Sequence, residues 1–216
     1  MQAAIFDLDG TLVDSLWFWG YYWSKLGERY FNDPNYRPPV EVDKTVRTMT
    51  MEQVGECMHK ECGMGESGAE VAAVSNAMLG EFYEKSVKPK AGVLPFLAEL
   101  KRRGVRICVA SATAKPMVRI AVKSCGLEPY VEKLFSCADL GKGKDQPDIY
   151  LQAQKYFGFP IEESWIFEDS LLAAKTAKAA GFPVVGIFDP NNFGQEELAQ
   201  IADRYIAEGE TLEKLL

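Results

Sequence analysis

Apolar and polar residues fall into two rhythms along this chain, and the change between them divides it. From residue 93 onward, short apolar runs alternate with segments of helical period. The spacing predicts a helix over about 93–103 ending at Gly104, a strand over 105–110 (VRICVA), a helix over about 115–124 closed by Gly126, and a short strand near 134–136. A helix over about 147–157, the strand SWIFED at 164–169, an Ala-rich helix over 171–180 capped by Gly181 and the strand PVVGIF at 183–188 complete the series. Single strands separated by single helices build βαβ units. The expected fold class is therefore α/β, a parallel sheet with helices on both faces.

Between Asp14 and Lys88 that rhythm disappears. The segment opens with WFWGYYW, holds Pro34, Pro38 and Pro39, and then shows helical periods over about 51–62 and 67–87. This predicts an inserted α-helical cap over 15–88 and a core made of 1–14 and 89–216. The crossings lie near 12–15 and 88–93, where Pro89 and Gly92 break helices. WFWGYYW has six aromatics in seven positions, more than one helical stripe can bury, so some are expected to face a neighbour or a cleft. Packing of the cap on the core is the first expectation for them, and substrate contact the second.

With 216 residues, 47% of them hydrophobic, the chain can bury one good core and carry a smaller second domain. A formal net charge of −7 argues against a nucleic-acid polymer or an anionic membrane as partner. No run approaches a spanning helix and no basic leader precedes the first strand, so a soluble cytoplasmic protein is expected, a monomer or weak homodimer. Five scattered cysteines read as reduced thiols. Cys57, His59 and Cys62 offer three soft ligands but lack the fourth ligand and the spacing of a zinc site. His59 is the sole histidine and sits in a Lys-Glu surface segment, which disfavours histidine-based nucleophilic catalysis.

Chemistry concentrates where strands end. An apolar run at Ile5 and Phe6 delivers Asp7 and Asp9 onto a Gly10-Thr11 turn; Ser111 follows the next strand in VASAT; Lys144 stands in GKGKD; Glu168 and Asp169 close IFEDS. In an open parallel sheet, ligands bind beyond the carboxyl ends of the strands. Each signal alone is ordinary, since a serine can cap a helix and an acidic pair suits a helix start. Together they are not. Converging carboxylates repel unless a cation sits among them, and oxygen-only ligands suit Mg²⁺, which implies a phosphorylated substrate. A hydroxyl, a lysine and free turn amides would neutralise the phosphoryl oxygens.

The stretches IFDLDGTLVDS, VASAT, GKDQPDIY and IFEDS resemble the four motifs of the haloacid dehalogenase superfamily, over a core of about 140 residues. The insertion is similar to the helical cap of the subgroup that holds β-phosphoglucomutase and phosphoglycolate phosphatase. The resemblance implies a Rossmann-like core and Mg²⁺ as cofactor. It makes Asp7 a nucleophile forming an aspartyl-phosphate and Asp9 the acid, then base, which also lends its main-chain carbonyl to the metal. It makes Asp169 a direct metal ligand with Glu168 nearby, so that the metal set is Asp7, Asp9, Asp169 and Glu168. Ser111 and Lys144, with the turn residues Leu8 and Ala112, would hold the phosphoryl oxygens. Lys144 is preferred to Lys142 because it stands four residues before Asp148, and Ala173 replaces a glycine usual in the last motif.

Hydrolase and mutase share this apparatus and differ in what attacks the phosphoenzyme. Where the mutase has a histidine in its first cap helix this chain has Trp19, and near the position of its cap-loop arginine stand Met51 and Arg47. The expected activity is a Mg²⁺-dependent phosphatase acting on a small phosphorylated metabolite. A phosphosugar mutase is the alternative, and a non-catalytic Mg²⁺ and phosphate binder a further one.

Overall fold

The fold, a computed structural model, describes residues 1–47 and 49–216. β1 (Ala3–Phe6) has no polar position to offer water, and all four of its residues are buried. Such a strand belongs inside a sheet covered on both faces. After β2 (Val13–Asp14) come four helices, α1 (Phe18–Phe31), α2 (Val40–Val46), α3 (Met51–Cys62) and α4 (Gly68–Lys85). β3 (Lys88–Pro89) and α5 (Val93–Arg102) return the chain to β4 (Arg106–Ser111), α6 (Lys115–Ser124), β5 (Lys133–Ser136), α7 (Cys137–Leu140) and α8 (Asp148–Phe157). The chain ends through β6 (Ser164–Glu168), α9 (Leu171–Ala179), β7 (Val184–Ile187), α10 (Gln195–Ile201) and β8 (Arg204–Ile206).

Two compact units result, Met1–Leu16 with Val87–Leu216, and Trp17–Ser86. In the first, six strands run parallel in the order β5-β4-β1-β6-β7-β8, with β1 pairing β4 on one side and β6 on the other. Alternation assigns the two faces. Ala3, Ile5, Cys108, Ala110 and Ile166 share a cluster with Tyr150, Ala153 and Phe157 of α8 and with Ala174 and Ala177 of α9. On the opposite face Phe6 stacks on Phe167 at 4.2 Å, and both rings meet Phe96 of α5.

The crossings are held by strand pairing. β2 and β3 pair as a two-stranded antiparallel ribbon, Val13 opposite Pro89 and Asp14 opposite Lys88. Helix α6 takes its predicted span, whereas β6 stops at Glu168 instead of reaching Asp169. Glu168 thus belongs to the strand, and Asp169 alone follows it.

In the helical unit α3 starts at a capping box, Thr50 with Gln53, and ends at Gly63 in the left-handed region. α4 starts on Ser67, whose hydroxyl accepts from the Glu70 N–H. α1 buries Phe18, Trp19, Tyr22, Trp23 and Leu26 on one stripe, leaving Trp17 and Tyr21 partly exposed. Trp17 still packs edge-on against Phe82, at 4.9 Å. Tyr22 hydroxyl pairs with Ser75 at 2.7 Å, and Trp23 Nε1 donates to Asp43 at 2.8 Å. The aromatic run therefore builds much of this unit's own core. His59 Nδ1–H donates to the Met64 carbonyl at 2.8 Å, and the five cysteines are free thiols. No described helix is long and apolar enough to cross a membrane.

Candidate active site

The register that pairs Ile5 with Ile166 and Phe6 with Phe167 brings Asp7 and Glu168 side by side at the next step. The Asp7 N–H continues the ladder to the Phe167 carbonyl at 2.9 Å. By alternation both carboxylates take the α8 face, where Tyr150 hydroxyl donates to Glu168 Oε1 at 2.9 Å. Lys144 bridges the pair, donating to Asp7 Oδ1 and to Glu168 Oε1. Lys142 is bound elsewhere, to Asp148 at 2.6 Å.

Asp169 joins them from the start of the β6–α9 turn. Ligand oxygens of Asp7, Glu168 and Asp169 all lie within 4.8 Å of one another, and all three residues are buried. Gly10 makes room for this approach. It sits at φ +79°, and a Cβ there would strike the Asp169 carboxylate. Thr11, fully buried on the same turn, donates through Oγ1 to Asp169 Oδ1 at 3.0 Å. Ala173, which stands where a glycine is usual, fits the first turn of α9, its N–H donating to the Ser170 hydroxyl that caps the helix.

Electrostatics follow from that crowding. Burial pushes the Glu168 carboxyl up to about 7, with Lys144 pulling down and Asp7 adding to the rise. Asp169 is raised well above the usual carboxylate range by burial and by Asp7 and Glu168. For Lys144, burial acts to lower its value, but the charges of Asp7 and Glu168 outweigh it and hold the ammonium above its ordinary value. Lys144 is paired with two of the three buried carboxylates, Asp7 and Glu168, and all the donors are oxygens. That donor set fits Mg²⁺.

Asp9 stands apart from this group. Its carboxylate accepts from Ser15 Oγ at 2.8 Å and from Thr113 Oγ1 at 3.1 Å. Thr113 also donates its N–H to Ser111 Oγ at 3.0 Å, which ties Asp9 to the turn after β4. Ser111 is buried at that strand end, and Ala112 beside it is partly exposed. The Leu8 carbonyl is turned back into its loop, accepting from the Leu12 and Val13 N–H groups. Thr11, Ser15, Thr113 and Tyr150 escaped the reading of strand ends as candidates. Three are hydroxyls in the motifs themselves, and Tyr150 ends GKDQPDIY, so their position inside the motifs was the available signal.

The family model for haloacid dehalogenase-like hydrolases matches residues 1–181. Protein CbbY of Rhodobacter capsulatus is 28% identical over 199 residues, covering 86% of this chain and 84% of its own length. Hexitol phosphatase A of Escherichia coli K12 is 26% identical over 191 residues, with 88% and 84% covered. The crystal structure of CbbY from Rhodobacter sphaeroides in complex with phosphate shares the fold, with a TM-score of 0.79 at 22% identity over 95% of this chain and 93% of that one.

Proposed function

The chain belongs to the haloacid dehalogenase-like hydrolases and is a phosphoric monoester hydrolase; we propose that its substrate is a small phosphorylated metabolite of the sugar type, cleaved through a phosphoenzyme on Asp7. The observation that carries this reading is the buried meeting of Asp7, Glu168, Asp169 and Lys144 at the ends of parallel strands. Likeness to a hexitol phosphatase supports a polyhydroxylated leaving group.

In this reading Lys144, fixed by Glu168 and Tyr150, aligns the Asp7 carboxylate and offsets its charge. Asp7 attacks phosphorus, the ester P–O bond breaks, and the departing oxygen takes a proton from Asp9. Water then attacks the aspartyl-phosphate and gives its proton to Asp9, while the bond to Asp7 breaks and phosphate leaves. The two hydroxyls on Asp9 hold it for both transfers. Ser111, Lys144 and the turn residues Leu8 and Ala112 take the phosphoryl oxygens. Asp7, Asp169 and the Asp9 main-chain carbonyl would hold Mg²⁺, whose charge lets an anionic nucleophile meet an anionic phosphate. Glu168 serves Lys144. The helical unit acts as a cap that selects the leaving group.

Purified protein with Mg²⁺ is expected to release phosphate from sugar phosphates and from a generic aryl phosphate. EDTA and Asp7→Asn each remove that release, and sustained turnover by Asp7→Asn would refute Asp7 as nucleophile. Interconversion of hexose phosphates without net phosphate loss would favour the mutase. Against the mutase, Arg47 is drawn to both oxygens of Asp43, at 3.1 and 2.8 Å, and lies over the Trp19 ring.

A further inference from the structure

Beyond residue 181, where the family match ends, the loop after β7 returns to the metal ligand. Asn192 Nδ2 donates to Asp169 Oδ2 at 2.7 Å, opposite the Thr11 hydroxyl that holds Oδ1. The amide cannot be turned round, because Asn192 Oδ1 accepts from the Phe193 N–H at 2.8 Å. Gln195 is oriented by the same logic. Its Oε1 accepts from the Asp189 N–H at 3.3 Å, and its Nε2 donates to the Asp169 carbonyl at 3.0 Å.

The loop itself is built on an ion pair between half-buried Lys90 and buried Asp189. Asp189, fully buried, accepts from the Asn191 N–H at 2.9 Å, and its carbonyl accepts from the Asn192 N–H at 3.1 Å. Lys90 Nζ lies 2.9 Å from Asp189 Oδ2 and donates to the Phe188 carbonyl at 2.9 Å. The Lys90 N–H donates to Leu12 at 3.0 Å, on the motif that carries Asp7 and Asp9. The nucleophile turn, the ion pair and the loop thus form one connected frame around Asp169.

We propose that Asn192, on a loop braced by Gln195 and the Lys90–Asp189 pair, is a positioning residue that aims the Asp169 carboxylate at the divalent cation. This rests on the reading of Asp169 as a metal ligand. Two donors, one on each oxygen, fix the carboxylate plane and leave a lone pair on each oxygen for a cation.

Mn²⁺ serves as the probe, with free ion counted by electron paramagnetic resonance in the full chain. Asn192→Leu, of nearly equal volume, is expected to weaken Mn²⁺ binding by about 10- to 100-fold, with a cooperative unfolding transition in EDTA showing that the variant is folded. Wild-type Mn²⁺ affinity in this variant overturns the inference. Should Asn192→Leu not fold, Asn192→Ser keeps a polar group that cannot reach Asp169 and reads the same shift. Asp169→Asn separates the two levels: retained Mn²⁺ affinity there refutes the metal reading itself, whereas its loss beside an unchanged Asn192 variant refutes only the positioning role.

Discussion

Asp43 in the helical unit and Asp169 in the sheet unit are both carboxylates gripped by side chains from other parts of the chain, yet their neighbours differ in sign. Asp43 takes the Trp23 N–H and the Arg47 guanidinium, so its charge is matched within hydrogen-bond distance. Asp169 takes two neutral donors and faces the carboxylates of Asp7 and Glu168. A matched charge holds a fold together. An unmatched, buried cluster is kept against its own repulsion, and such sites are where a protein handles cations and anions.

Removing the single lysine would drive the contrast to its limit. Lys144→Met leaves Asp7 and Glu168 buried without their cation and is expected to cost about 3–5 kcal/mol of unfolding free energy in EDTA near neutral pH, read by urea denaturation. An unchanged midpoint would mean that the lysine does not balance the cluster.

Acidity probes the same imbalance without mutation. The Glu168 carboxyl has a folded value of about 7 against an ordinary 4.5, so the folded state binds that proton more tightly than the unfolded one. Its contribution is full below the ordinary value and is lost as pH rises through the folded one. Through Glu168 the metal-free protein should therefore lose about 3 kcal/mol between those limits, seen as a falling unfolding temperature, and saturating Mg²⁺ should flatten the slope. A slope of opposite sign would contradict the raised value.

The matched site should behave differently. Asp43→Ala strands the Trp23 donor and the Arg47 charge, at about 1–3 kcal/mol by thermal unfolding, with aryl phosphate hydrolysis kept. Loss of that hydrolysis would join Asp43 to the chemistry and erase the distinction. The smallest effect is expected at Asp9: Thr113→Val removes one hydroxyl donor and leaves that of Ser15, so kcat should fall about tenfold, short of the 10²–10⁴ that acid–base catalysis supplies as a whole. An unchanged kcat would leave Ser15 as the hydroxyl that matters.

The periodicity of the second half reached the elements well, because a strand buried on both faces is apolar throughout and its neighbouring helices carry clear glycine stops, as at α6 and α9. It failed where elements are short or polar. The two-residue strands β2 and β3 have no period to read, and α10 with β8 lies in a charged stretch buried at few positions. α1 was hidden by an excess of aromatics, only some of which lie on its buried stripe. In the site, Asp7, Asp9, Ser111 and the acidic pair announced themselves at strand ends. Thr11 meeting Asp169, or Asn192 reaching the same carboxylate, depends on pairing between distant parts of the chain, which no local pattern contains.

The β2–β3 ribbon makes the helical unit a graft. Asp14 and Lys88 already stand opposite each other in hairpin register, so a two-residue Asn-Gly turn can join them and splice out everything between. Any module whose two ends meet at that spacing can be stitched in at the same seam without disturbing the pairing of the sheet.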